Sequence, residues 1–135
     1  MPIDIIDNLS IYLINIILGI MLFFSFVVAP ITFTALNEEN ARKFIRKIFP
    51  YYYNVNLFIS FLVLIFFIML KNFSFNFYLI LTVTILFALS SFLLMPLINK
   101  YRDEKQDKKF KYSHSTSVVI NFLQMTLLVI ILALW

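Results

Sequence analysis

The sequence contains no cysteine, a single glycine and little charge, and each shortage excludes a class of protein. Without cysteine the chain has no disulfide, no thiolate metal ligand and no cysteine nucleophile. One glycine cannot build the glycine-rich loops that surround phosphates in nucleotide-binding proteins. Charged residues make up 13% of the chain, whereas soluble domains have about 25%. A water-soluble globular enzyme is therefore excluded.

Apolar residues, by contrast, make up 62% of the chain. They form four long stretches without Asp, Glu, Lys or Arg, at about residues 9–36, 50–70, 75–97 and 112–135. Each is about long enough, at roughly 20 residues or more, to cross a bilayer as a helix. The stretches lack the alternation of membrane barrel strands. We predict one all-α domain over residues 1–135, an integral membrane four-helix bundle with charged loops at 37–49 and 98–111.

Basic residues indicate how the bundle is oriented. Ten of the eleven Lys and Arg side chains lie in the two charged loops, and Lys71 alone lies at the other end. Lys and Arg concentrate in cytoplasmic loops, so we expect both loops in the cytoplasm and both termini outside it. In a bacterium the location would be the inner membrane. This asymmetry explains the net charge of +4 without nucleic-acid binding.

Two segments 66 residues apart resemble each other, which indicates a duplicated hairpin. Ser25 to Ile31 and Ser91 to Leu97 both read Ser-Phe, three apolar residues, Pro and one apolar residue. Two such hairpins would form a parallel repeat, although chance in a chain rich in Phe and Leu is the alternative. Proline removes a helical hydrogen bond, so Pro30 and Pro96 should kink or loosen their helices. Pro50 is expected in the first turn of the second helix, where proline is tolerated.

Polar side chains form a stripe on the fourth apolar stretch. At 100° per residue, four of them fall within an arc of about 80°. These four are His114, Ser117, Asn121 and Gln124. The second stretch adds Asn56 and Ser60, on the predicted cytoplasmic side. The stripe is either a set of hydrogen bonds between helices or the lining of a polar cleft that faces the cytoplasm.

Most chemistry that such a stripe could perform lacks its partners. No carboxylate or second histidine completes a nucleophilic triad, and no metal-ligand spacing is present. We therefore expect a protein that is not an enzyme, with no catalytic residue, metal or cofactor. His114 is the single histidine, and it is either an interfacial side chain, a proton relay or an axial haem ligand.

Motifs along nearly the whole chain resemble those of the transmembrane-protein-205-like family, small four-helix membrane proteins of poorly defined function. The most specific are Ala29-Pro30 and the series Phe110, His114, Ser117 and Asn121. Weaker ones are Gly19, Phe23-Phe24, Phe33, Leu36, Ala41, Phe49-Pro50, Tyr52-Tyr53, Pro96, Asn99 and Arg102-Asp103. The resemblance implies a four-helix membrane fold.

The leading functional hypothesis is a membrane protein that binds or passes a small solute through a polar cleft facing the cytoplasm. The candidate ligand-binding residues are His114, Ser117, Asn121, Gln124, Asn56 and Ser60. One alternative is a structural or assembly subunit of a membrane complex, and another is a haem-binding redox protein that uses His114. The expected partners are the lipid bilayer and either further copies of the chain or another membrane protein.

Overall fold

Four long helices account for nearly all of residues 2–135, which are the residues that the computed structural model describes. They are α1 (Ile3–Ala35), α2 (Glu38–Met69), α3 (Phe75–Asp103) and α4 (Asp107–Ala133). Within residues 2–135 there is no strand. Each helix packs against the next along the chain, and α4 returns to α1, so the helices form a closed ring. The predicted all-α four-helix bundle is confirmed.

Many large apolar side chains lie on the outer surface of the bundle. Phe58 and Phe61 point outward from α2, while Val63 and Phe67 of the same helix are buried in the core. Helices that are apolar on all sides suit a lipid environment. The four helices have 27 to 33 residues and are long and apolar enough to cross a membrane. The protein is thus an integral membrane protein.

The segments predicted as loops are mostly helical, which corrects the boundaries expected at 37–49 and 98–111. The helices are about 40–50 Å long at 1.5 Å per residue, which exceeds a hydrocarbon core of about 30 Å. Asn37 caps α2, because its Oδ1 accepts a hydrogen bond of 2.9 Å from the backbone N–H of Asn40. Ion pairs one turn apart, such as Lys43 with Glu39, support this first part of α2.

Two helices change their hydrogen bonding immediately before a proline. Residues Phe24–Val28 of α1 and Ser90–Leu94 of α3 form π-helical turns. The backbone N–H of Ala29 bonds to the carbonyl of Phe24, five residues back, and Met95 bonds likewise to Ser90. Both helices are therefore loosened at the expected places, ahead of Pro30 and Pro96. Pro50 differs from the prediction, because it lies inside α2 rather than in its first turn.

Both π-helical turns also carry a serine that bonds to an asparagine of a neighbouring helix. Ser25 Oγ accepts a hydrogen bond of 2.9 Å from Asn121 Nδ2 on α4. Ser91 Oγ donates one of 2.8 Å to Asn54 Oδ1 on α2. The two turns and their serines are again 66 residues apart, so the structural offset matches the offset between the similar segments of the sequence.

Candidate functional site

A cavity of about 310 Å³ lies at the end of the bundle that carries the α1–α2 and α3–α4 connections. We call this end the basic end, because all Lys and Arg residues except Lys71 lie there. All four helices contribute to the lining. The lining comprises Phe24, Ser25, Phe26, Ala29, Phe33, Arg42, Ile45, Arg46, Phe49, Tyr52, Tyr53, Met95, Ile98, Asn99, Arg102, Phe110, His114, Ser117, Val118, Asn121 and Phe122.

The floor of the cavity is a chain of hydrogen bonds across three helices. Tyr52 on α2 donates its hydroxyl hydrogen to Asn121 Oδ1 on α4, at 2.6 Å. Asn121 Nδ2 in turn donates to Ser25 Oγ on α1. Tyr52 is only 6% exposed. Its hydroxyl is buried at little cost because Asn121 accepts from it.

Stacked aromatic rings form the wall on the side of α1 and α2. The rings of Phe24 and Tyr52 are stacked with centroids 4.4 Å apart, and Phe49 stacks on Tyr53 at 5.6 Å. Phe49 also meets Phe24 edge to face. Such pairs contribute about 0.5–1.5 kcal/mol beyond the area they bury. They hold one wall of the cavity in a defined position.

Arginines surround the mouth, and two of them are paired with carboxylates. Arg46 Nη2 lies 2.8 Å from Asp103 Oδ1, which connects α2 to α3, and Arg42 pairs with Glu38 one turn before it. Arg102 differs: its guanidinium carbon lies 3.8 Å from the centroid of the Phe110 ring. Within residues 2–135 it forms no ion pair. Its charge is therefore available to another group.

His114 packs on the aromatic neighbour of Arg102, the ring of Phe110. Its ring is parallel to that of Phe110, with an interplanar angle of 3° and centroids 5.8 Å apart. Both rings line the cavity, next to Arg102. No group of three or more His, Cys, Asp or Glu side chains in the described part of the chain could hold a metal ion.

The structure brings three of the six predicted site residues to the cavity. His114, Ser117 and Asn121 line it, whereas Gln124, Asn56 and Ser60 are buried in the bundle. They do not belong to the lining. Ser60 Oγ and Asn56 Nδ2 donate to carbonyls of their own helix. Gln124 instead donates to the carbonyl of Val83 on α3, so it connects helices, as the alternative interpretation of the stripe expected.

Three buried amide oxygens, those of Asn56, Asn76 and Gln124, lie without a hydrogen bond among the described residues. Asn56 Oδ1 and Gln124 Oε1 accept none, and both residues are 0% exposed. Neither amide can simply be reversed, because each nitrogen already donates to a carbonyl. Leaving a buried acceptor unsatisfied costs about 1–3 kcal/mol. The amide oxygens of Asn56 and Gln124 in the core therefore lack hydrogen-bond donors, and neither residue belongs to the lining of the cavity.

The sequence analysis did not identify the arginines and Asn99 as lining residues, although a signal for them existed. Met95, Ile98, Asn99 and Arg102 follow the spacing of one helical face. That periodicity continues from the apolar stretch into the charged segment. Treating the charged segment as a loop concealed it.

Comparison with known proteins identifies a family without a described function. A family model described as Domain of unknown function (DUF4149) matches residues 12–107. Neither the curated proteins nor the solved structures give a match. This finding does not tie the chain to the transmembrane-protein-205-like family that the motifs suggested. Because the match covers well over half of the chain, this integral membrane protein with four apolar helices belongs to the DUF4149 family.

Proposed function

We propose that the protein binds a small molecule with a substantial apolar part in the cavity at the basic end, and that this end faces the cytoplasm. The main support for the proposal is that all four helices contribute side chains to the lining of one cavity of about 310 Å³. Binding sites for small molecules are typically concavities of about 300–1,000 Å³. The orientation rests on the basic residues gathered at this end.

The chemistry of the lining supports this function. Most of the lining is aromatic or aliphatic, and a few polar groups, including Asn99, His114 and Asn121, converge on the same space. Binding sites commonly combine apolar walls for affinity with a few polar groups for orientation. The polar stripe then has two roles, because Asn121 both lines the cavity and bonds to two other helices.

Binding is favoured over passage through the bundle. Beyond the floor, the core is filled by fully buried side chains from all four helices, including Met21, Val63, Phe87 and Leu128. A solute that entered from the basic end would have to break the Tyr52–Asn121 hydrogen bond and displace this packed layer. Close-packed interiors resist such displacement.

The two alternative functions, a subunit of a membrane complex and a haem protein, predict different experimental results. A subunit of a membrane complex would copurify with a fixed partner polypeptide. A haem protein would show a Soret band, and His114 is the single histidine that could serve as an axial ligand. Membership of the transmembrane-protein-205-like family stays a proposal based on the sequence motifs alone.

Native mass spectrometry of the protein purified in a mild neutral detergent tests the proposal. We expect a small-molecule adduct, either retained from the membrane or restored by adding decanol. Ala29 lines the cavity, so Ala29→Leu should reduce the space and weaken the adduct. Gly19 provides the matched control on the same helix, because it is exposed and a Cβ added there meets nothing within 4 Å. Gly19→Leu should bind as the unmodified protein does.

Two results would contradict the proposal. One is a protein without any adduct, before and after decanol is added. The other is an adduct that Ala29→Leu and Gly19→Leu retain equally, because binding would then be elsewhere on the apolar surface. The same spectra reveal a bound haem, a second polypeptide or a homo-oligomer by mass.

A further inference from the structure

The charges that line the cavity are all of one sign. Arg42, Arg46 and Arg102 are part of the lining, and no Asp or Glu side chain is. The carboxylates of Glu38 and Asp103 lie outside it and each neutralises one arginine. One positive charge, on Arg102, is left over at the mouth.

Within residues 2–135, none of the Arg102 side-chain N–H groups donates a hydrogen bond. Its guanidinium lies over the ring of Phe110. An aromatic face attracts the positive charge but leaves the five N–H groups without hydrogen-bond acceptors. Among residues 2–135, neither the Asn99 side chain nor the His114 ring takes part in a hydrogen bond. Three side chains with donors thus line the same cavity. Guanidinium groups bind phosphate and carboxylate oxygens through two parallel hydrogen bonds.

The apolar part of the cavity continues to the outer surface between α1 and α4. Phe26 and Phe122 line the cavity, yet they are 59% and 51% exposed, so they also face outward. Their rings meet edge to face with centroids 6.2 Å apart. Val118 and Phe33 have the same double role. A hydrocarbon chain could therefore lie partly in the cavity and partly along the lipid-facing surface.

We propose that the ligand is a membrane amphiphile with an anionic headgroup. The headgroup lies against Arg102, beside Asn99 and His114, and the hydrocarbon chain leaves between α1 and α4 along Phe26 and Phe122. This inference rests on the function proposed above and adds the class of ligand. It assigns Arg102 as the residue that selects the charge of the headgroup.

Native mass spectrometry with three probes tests the inference. The probes are decyl phosphate, decanol and inorganic phosphate, which separate the contributions of the anion and the chain. We expect decyl phosphate to bind about tenfold or more tightly than decanol, because hydrogen bonds to charged groups are the stronger ones. Inorganic phosphate alone should bind too weakly to survive as an adduct.

Variants then test the role of Arg102. Arg102→Gln should abolish the preference for decyl phosphate over decanol, while Arg102→Lys should restore part of it. Lys100→Gln is the matched control, because it removes one positive charge from the same helix outside the lining. It should keep the full preference. Circular dichroism and gel filtration confirm that each variant is folded.

The outcomes separate this inference from the function on which it rests. Equal binding of decyl phosphate and decanol, both lost in Ala29→Leu, would overturn the anionic headgroup and keep the cavity as a binding site. Inorganic phosphate that binds as well as decyl phosphate would overturn the amphiphile in favour of a free anion. Equal losses in Arg102→Gln and Lys100→Gln would overturn the assignment of Arg102. No binding of any probe would contradict the proposed function itself.

Discussion

Asn121 offers the sharpest test of the hydrogen-bonded floor, because it connects three helices through one side chain. Its Oδ1 accepts from Tyr52, and its Nδ2 donates to Ser25. Asn121→Leu keeps the number and branching of the side-chain heavy atoms and removes both hydrogen bonds. Tyr52→Phe removes only one of them. We therefore expect both variants to lower the free energy of unfolding, Asn121→Leu more than Tyr52→Phe.

The expected magnitudes follow from the number of bonds lost. A hydrogen bond between membrane helices contributes about 0.6 kcal/mol on average and about 1.7 kcal/mol at most. Tyr52→Phe should thus cost about 0.6–1.7 kcal/mol, and Asn121→Leu about 1–3 kcal/mol. In the double variant the shared bond is lost only once. The coupling free energy should therefore be about 0.6–1.7 kcal/mol.

Unfolding by sodium dodecyl sulfate in mixed micelles, followed by the loss of helical circular dichroism, measures these free energies. Thr126→Val is the control on the same helix, since Thr126 Oγ1 is exposed and bonds only to the carbonyl of Phe122. It should change little. A coupling free energy near zero would refute the direct bond between Tyr52 and Asn121. An Asn121→Leu variant as stable as Thr126→Val would refute any stabilising role of the floor.

Three further predictions concern other parts of the molecule. Gly19→Ala should raise the free energy of unfolding by up to about 1 kcal/mol, because it reduces the flexibility of the unfolded chain where space is open; unchanged or lower stability in the same unfolding assay would contradict this. Arg46→Gln and Asp103→Asn should each cost at most about 1 kcal/mol, less at high salt, because the pair is exposed; a larger cost that salt does not reduce would count against a screened ion pair. An impermeant maleimide should label Lys71→Cys in intact cells and Lys105→Cys only in permeabilised cells, and the reverse pattern would refute the orientation.

Much of the fold was predictable from the distribution of apolar residues along the chain. Lipid allows only structures that satisfy their own backbone, so four long apolar stretches predict four helices without knowledge of their packing. The boundaries were less predictable. Hydropathy marks where the chain leaves the hydrocarbon, whereas the helix ends only where capping and backbone geometry end it. Asn37 begins α2 about thirteen residues before the apolar stretch.

The site was only partly predictable. Helical periodicity shows which residues share one face of a helix, but not which residues of the other helices that face contacts. Periodicity predicted His114, Ser117 and Asn121 on one side of α4, and all three residues line the cavity. Gln124 follows the same periodicity, yet it is buried against Val83 of α3. Periodicity on one helix cannot distinguish the two environments, since the difference depends on how closely the other helices approach at each depth.

The sequence by itself determined that the helices are suited to lipid, how many helices there are, and how charge is distributed between the two ends of the bundle. These properties depend on the transfer free energies of residues, which are local and additive along a helix. The tertiary structure alone decided that Tyr52 is buried on Asn121 and that Asp103 neutralises Arg46. It also decided that Arg102 lies beside His114 without an ion pair among residues 2–135. Each of these depends on distances of a few ångströms between residues far apart in the chain, which are set by packing of the whole ring of helices.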